Sequence, residues 1–226
     1  MKRINKCFVV TMVLVFSLVI GALLWSYCHS DVFVYNKSID KTVEIKSSID
    51  EETWNYSTGF FVDSNGTILT NRHALISNKT NEVSSFIKVR MPSEDEWVDG
   101  EFVRQSEDSD LAIIKVDKSN TRYFSFARKY DNGETIYTIG NPSGFGLSFS
   151  KGNISSKKRN VIYNGNVIDS IQTSLVINEG NSGGPVFNRN GKLIGIVSFR
   201  LKDIHGNVIQ GVTFIIPLED IKNFLK

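Results

Sequence analysis

Gly180-Asn181-Ser182-Gly183-Gly184-Pro185 leads straight into the β-type run Pro185-Val186-Phe187-Asn188. Glycines on both sides of Ser182 let the backbone turn tightly and bring amides close to a reacting carbonyl. G-x-S-x-G is also the nucleophile elbow of α/β-hydrolases, in which a strand precedes the serine, a helix follows it and the histidine comes last. Here a β run follows instead of a helix. Only 44 residues remain after Ser182, too few for the rest of that fold, although Asp203 and His205 would keep its order.

Outward from this point, short β-type runs recur between turn signals: 58–62, 67–70, 86–91, 97–103, 111–116, 134–140 and 160–164 before the serine, and 185–188, 192–199 and 207–216 after it. Many are rich in β-branched and aromatic residues, and Asp63-Ser64-Asn65-Gly66 and Asn164-Gly165-Asn166 read as hairpin turns. Residues 217–225 alone have helical spacing, with Leu218, Ile221 and Leu225 on one face and Pro217 at the first turn. The pattern predicts an all-β domain with a short C-terminal helix.

Phe8 to Tyr27 is a run of 20 residues without a charge, and a helix of that length spans about 30 Å, the thickness of a bilayer's hydrocarbon. A cleaved secretory signal has a shorter apolar core and small residues at its cleavage site. The length of this run, with Trp25 and Tyr27 at its end as an aromatic belt, favours an uncleaved anchor. Lys2, Arg3 and Lys6 before it place the amino terminus in the cytoplasm and the remainder outside. The expected organisation is a basic segment 1–7, a transmembrane helix 8–27, a polar stalk 28–45 merging into an edge strand, and a folded domain 46–226.

Composition narrows the function classes. At 226 residues and 41% hydrophobic the chain is long enough for a sizeable core. Its formal charge of +2 becomes −1 once the three basic residues of the first segment are set aside, so the domain has no electrostatic footprint for nucleic acid. Cys7 and Cys28 both lie in or beside the apolar run, which excludes an internal disulfide or a cysteine zinc cluster in the domain. His29, His73 and His205 are the three histidines, with no close spacing to one another or to a domain cysteine, and no metal site is expected. The Lys157-Lys158-Arg159 cluster reads as a solvated basic loop.

A serine hydroxyl is a weak nucleophile until a base stands within hydrogen-bond reach, with a carboxylate behind the base to hold its tautomer. His205 lies in a turn before Gly206-Asn207 and reads as a surface residue. His73 follows the 67–70 strand directly. Asp108 and Asp110 are both available as the carboxylate, but Asp110 abuts the run LAIIKV, where a rigid strand can aim it.

Five blocks, STGFFVDSNGTILTNRHAL (57–75), SDLAIIKV (109–116), IGNPSG (139–144), IQTSLVINEGNSGGPVFN (171–188) and GVTFIIP (211–217), together resemble the trypsin-fold serine proteases of the HtrA (Deg) type, in that family's order. The resemblance implies a chymotrypsin/trypsin-like double six-stranded β-barrel and a serine endopeptidase acting on unfolded or envelope proteins without metal or cofactor. Carried over onto the matching positions, it implies a triad of His73, Asp110 and Ser182 in the chain order of chymotrypsin-like enzymes. It implies an oxyanion hole from the amides of Gly180 and Ser182, with Asn181 beside them. The substrate pocket expected by resemblance involves Val176, Ser198, Phe199, Arg200 and Thr213, and its apolar lining favours Val, Ile, Ala or Leu before the scissile bond. Trimeric assembly is implied by the resemblance alone. Most HtrA-type chains continue into PDZ domains; this sequence ends at Lys226, so no such module is expected. The alternative reading is a catalytically silent, chaperone-like protein that holds extended peptides in the same cleft.

Overall fold

A computed structural model describes residues 6–28, 30–77, 80–163, 166–202, 205 and 207–226. The apolar run forms one helix, α1 (Lys6–Cys28), whose stretch Val9–Cys28 is long and apolar enough to cross a membrane and has none of its surface buried in the protein. Cys28 is a free, exposed thiol.

Residues 31–41 depart from the expected stalk. Ser30 caps a helix, α2 (Asp31–Ser38), by accepting from Phe33 N, a residue type favoured there because its oxygen satisfies an orphan amide. Val34 of α2 is fully buried, and the Tyr35 ring meets Phe149 edge-on at 5.6 Å. Tyr137 Oη and Lys151 Nζ both donate to the Asp31 carboxylate at 2.7 Å. The packed body therefore begins near Asp31. Val34 and Tyr35, with Ile39 just beyond the helix, dock it against the second barrel, a pattern too sparse to read as a periodic face.

The first sheet comprises β1 (Thr42–Ser48), β2 (Asn55–Phe61), β3 (Thr67–Thr70), β4 (Phe86–Arg90), β5 (Val98–Asp99), β6 (Glu101–Gln105) and β7 (Ala112–Lys115), in the order β5-β4-β1-β2-β3-β7-β6. β5 and β6 are one run interrupted at Gly100, so the two ends of the sheet are joined by continuous chain and six strand positions enclose a core of Val43, Ile45, Ile68, Leu75, Val89 and Ile114. β1, expected at an edge, lies between β2 and β4. Its Glu44 is buried because Arg90 forks onto it, Nε to Oε1 at 3.0 Å and Nη2 to Oε2 at 3.2 Å.

The second sheet comprises β8 (Ser125–Phe126), β9 (Thr135–Gly140), β10 (Ser148–Tyr163), β11 (Asn166–Thr173), β12 (Pro185–Asn188), β13 (Lys192–Lys202) and β14 (Val208–Pro217). The order is β12-β9-β10-β11-β14-β13-β8, and pairing of β12 with β13 closes six of them into a ring. The double barrel expected from the sequence is thus present. The basic cluster 157–159 is strand, not loop: it lies within β10, where Lys157 pairs with Asp131 at 2.9 Å and Lys158 with Asp169 at 3.1 Å. The Asn164-Gly165 part of the expected hairpin turn lies outside the described residues. α3 (Leu218–Phe224) buries Leu218, Ile221 and Phe224 against the second barrel, and Arg104 Nη2 from the first barrel donates to Phe224 O at 2.6 Å.

Candidate active site

His73 sits in a single 3₁₀ turn, Arg72–Ala74, immediately after β3, and Asp110 two residues before β7, the strand that pairs with β3. Their strands being neighbours, the two side chains arrive together. Asp110 Oδ2 lies 2.6 Å from His73 Nδ1, and Asp110 Oδ1 accepts His73 N at 3.0 Å. The Asp110 carbonyl accepts in turn from Asn71 Nδ2 at 2.9 Å and Arg72 N at 3.3 Å. Backbone and side chain of the aspartate are both held to the turn that carries the histidine. Asp108 is exposed and bonds only locally, its N–H donating to Ser106 Oγ. Burial pulls the His73 imidazolium pKa down, but the Asp110 hydrogen bond and charge outweigh it and a smaller repulsion from Arg72, leaving the pKa above the ordinary histidine value.

Ser182 approaches from the second barrel. Its carbonyl accepts Thr58 N at 2.9 Å, and Thr58 Oγ1 donates to Gly180 O at 2.7 Å. Thr58 O accepts Thr70 Oγ1 at 2.7 Å, while Asn141 N donates to Thr58 Oγ1 at 2.9 Å. This fully buried threonine staples the two barrels where the site forms. A Cβ on Gly183, at φ +84°, would stand 2.1 Å from Thr58 O and 2.3 Å from Thr70 Oγ1, so only glycine lets the serine loop come this close. The Ser182 hydroxyl points at Ser198 O, 3.4 Å away. His73 and Ser182 line one cleft of about 580 Å³ with Ser198, Phe199, Arg200 and Ile177.

Gly180 has φ +92°, and a Cβ there would lie 2.1 Å from Asn141 O. Glu179 O accepts Ser143 N at 2.7 Å; because a trans peptide points its C=O and N–H in opposite directions, this bond turns the Gly180 N–H away from the 141–144 loop. Among the described residues neither Gly180 N nor Ser182 N has a hydrogen-bond acceptor, whereas Asn181 N donates to Asn178 O at 3.1 Å. Two amides are left unpaired beside the serine and the one between them is spent in a turn.

The trypsin-like peptidase domain family matches residues 57–196, well over half of the chain. The chain belongs to that family. Within the trypsin-like family its likeness runs to the HtrA type. It is 35% identical over 180 residues to a probable periplasmic serine endoprotease DegP-like of Pseudomonas putida (strain W619), covering 77% of this chain and 36% of that protein. It is 30% identical over 200 residues to serine endoprotease DegS of Haemophilus influenzae, covering 86% of this chain and 56% of that protein. The chain therefore spans between a third and three-fifths of the length of these relatives. Among solved structures, HtrA-type protease AlgW with tripeptide superimposes with a TM-score of 0.75 at 25% identity, over 87% of this chain and 62% of that one.

Within this trypsin-like domain the substrate-pocket expectations divide. Ser198, Phe199 and Arg200 line the cleft. Val176 does not: it is 58% exposed, and the neighbouring Ile177 turns inward instead. Thr213 is buried beneath the cleft, its Oγ1 donating to Leu175 O at 2.8 Å. Sequence reasoning missed Thr58, Asn71, Asn141 and Ser143, all polar, buried or looped supports of the site, along with Ile162 and Leu201 on the cleft wall. Buried Asn141 in IGNPSG and Thr58 in STGFFV were inside quoted blocks, but nothing local tells a staple from a strand residue. Asp203 lies outside the described residues. No cluster of metal-ligating side chains occurs among the described residues.

Proposed function

We propose that the chain is a serine endopeptidase of extended polypeptides. One observation carries the reading: a carboxylate-bound imidazole shares a single cleft with a serine whose own amide and that of Gly180 are both unpaired. In this reaction the Ser182 hydroxyl turns from Ser198 O to His73 Nε2, gives up its proton and attacks the scissile carbonyl. Asp110 holds the Nδ1–H tautomer and stabilises the imidazolium. The amides of Gly180 and Ser182 receive the oxyanion, each such donor contributing about 2.7–4 kcal/mol to barrier lowering. His73 then protonates the leaving amine, and a water activated by the same residue releases the acyl group from Ser182. Beyond Val197, β13 pairs only with β14 among the described strands, leaving 198–202 an open edge on which a substrate backbone can add as a strand, independent of its sequence. Unfolded proteins suit such an edge. A fluorophosphonate should label the full chain and not its Ser182→Ala variant; an unlabelled wild-type chain would favour the silent, peptide-holding alternative.

His73 must be neutral to accept the proton, and its pKa is raised. The acid limb of the kcat/KM profile is therefore expected above the ordinary histidine value of about 6.5. Stability runs the other way: the extra binding of a proton in the folded state is fully present below about pH 6.5 and fades as pH rises through the folded pKa. A limb centred below 6 would contradict the Asp110 pairing.

α1 serves in this reading as a membrane anchor that holds the catalytic domain outside the cytoplasm, as the periplasmic naming of the DegP-like relative suggests. The full chain is expected to stay with membranes through carbonate extraction and to expose its domain to added protease in spheroplasts; a mature terminus near residue 29–31 would instead mark a cleaved signal. The homotrimer implied by the HtrA resemblance is a separate proposal, read by light scattering in detergent.

A further inference from the structure

Arg200 stands on β13 opposite Thr213 of β14, two residues beyond Ser198, whose carbonyl faces the Ser182 hydroxyl. Its side chain is only 19% exposed, yet it is poorly paired. Nη1 reaches Ile177 O at 3.5 Å, the outer limit of a hydrogen bond. Nη2 lies 3.9 Å from Glu179 Oε1, and the Glu179 side chain is 91% exposed, a long, solvent-screened pair that contributes little. Arg90 shows what a satisfied guanidinium looks like in this same chain, with two bonds of 3.0 and 3.2 Å to a buried carboxylate.

A guanidinium carries five donors in a fixed fork shaped for a carboxylate, and a shielded charge left without a close counter-ion is costly. Arg200 spans the two walls beside the nucleophile, 177–179 and 198–201, against buried Ile177 and half-buried Phe199, with exposed Ile162 and Leu201 at the rim and Glu179 the one acid in the lining. Because the Arg200 side chain is itself mostly shielded from water, an ion pair made on it is stronger than one at the open surface. A lysine or arginine from the substrate would be repelled, and an aliphatic side chain would bury against the guanidinium without pairing it.

We propose that Arg200 makes the pocket beside Ser182 select an acidic side chain, Asp or Glu, on the amino side of the bond that is cut. The proposal rests on the serine endopeptidase reading and replaces the aliphatic preference expected from the sequence, which depended on Val176 lining the pocket.

The test uses the detergent-solubilised full chain and quenched peptides identical except for Glu, Asp, Gln, Val or Lys before the cut. Glu or Asp is expected to exceed Gln and Val by about 10- to 100-fold in kcat/KM, the range for a charge-assisted bidentate pair. Arg200→Met, which keeps the stem, should bring the Glu/Gln ratio to near one while fluorophosphonate labelling persists as proof of folding. Val equal to or above both acids, or a Glu/Gln ratio unchanged in Arg200→Met, would overturn the proposal. If the wild-type chain neither labels nor cuts, the endopeptidase reading fails by itself. The pocket is then read through fluorescence-anisotropy binding of peptides ending in Glu, Gln or Val to the Ser182→Ala chain. Tightest binding of the Glu peptide, lost in the Ser182→Ala/Arg200→Met double variant, supports the acidic pocket; equal binding of all three removes it.

Discussion

Ser182→Ala is expected to cut turnover by on the order of 10⁶-fold, the loss known for removal of a triad serine in an enzyme of the same chemistry. The substitution should leave the fold intact. Ser182 joins the barrels through its backbone carbonyl and Thr58 N, which alanine keeps, while its hydroxyl makes only a 3.4 Å contact with Ser198 O. His73→Ala should be nearly as severe, because the two residues act as one unit and their losses do not add. Single-turnover hydrolysis of a quenched peptide, run beside thermal unfolding of each variant, measures both parts of the claim. Casein cleavage at wild-type rate by either variant would end the proposed mechanism.

Asp110→Asn carries the next largest expected loss, about 10⁴-fold in kcat, by the tautomer effect known for the same exchange in a triad. The geometry gives the reason. Asp110 Oδ1 accepts the His73 backbone N–H at 3.0 Å, so an asparagine there would keep its carbonyl oxygen on that side and present its NH₂ to His73 Nδ1. The ring would then carry its proton on Nε2 and could not receive one from Ser182. The acid limb of the pH profile should fall at the same time, since the charge and hydrogen bond that raise the His73 pKa would be gone. Asp108→Asn, an exposed loop position, should stay within a few-fold of wild type on the same assay. The reverse pair of results would move the carboxylate to Asp108.

The elements visible in the sequence are those whose cause is local. A glycine-rich turn around Ser182, a histidine directly after one strand and an aspartate directly before another are each set within a few residues, and the antiparallel pairing of β3 with β7 does the rest. The alternation and turn residues of 58–140 announced strands for the same reason. The transmembrane-length helix needs only 20 uncharged, mostly apolar residues in a row. α2 was not legible, because its fit depends on where Phe149 and Tyr137 stand in the second barrel.

Which side chains face the cleft was decided by the tertiary structure. The pairing of β13 with β14 shifts register between Val197 and Phe199, and a shift of one residue exchanges the two faces of a strand. Val176 and Ile177 likewise trade inside for outside with one step of an irregular loop. Thr58 bonds to Gly180 across 122 positions of chain, a contact that no neighbour of either residue encodes. The sequence alone therefore determined which chemistry-bearing side chains are present, the class of fold and the apolar N-terminal helix, since these follow from composition, spacing and short-range backbone demands. The tertiary structure alone decided that a guanidinium rather than a valine lines the cleft beside Ser182, because the direction of a side chain depends on a register that only the closed barrel sets.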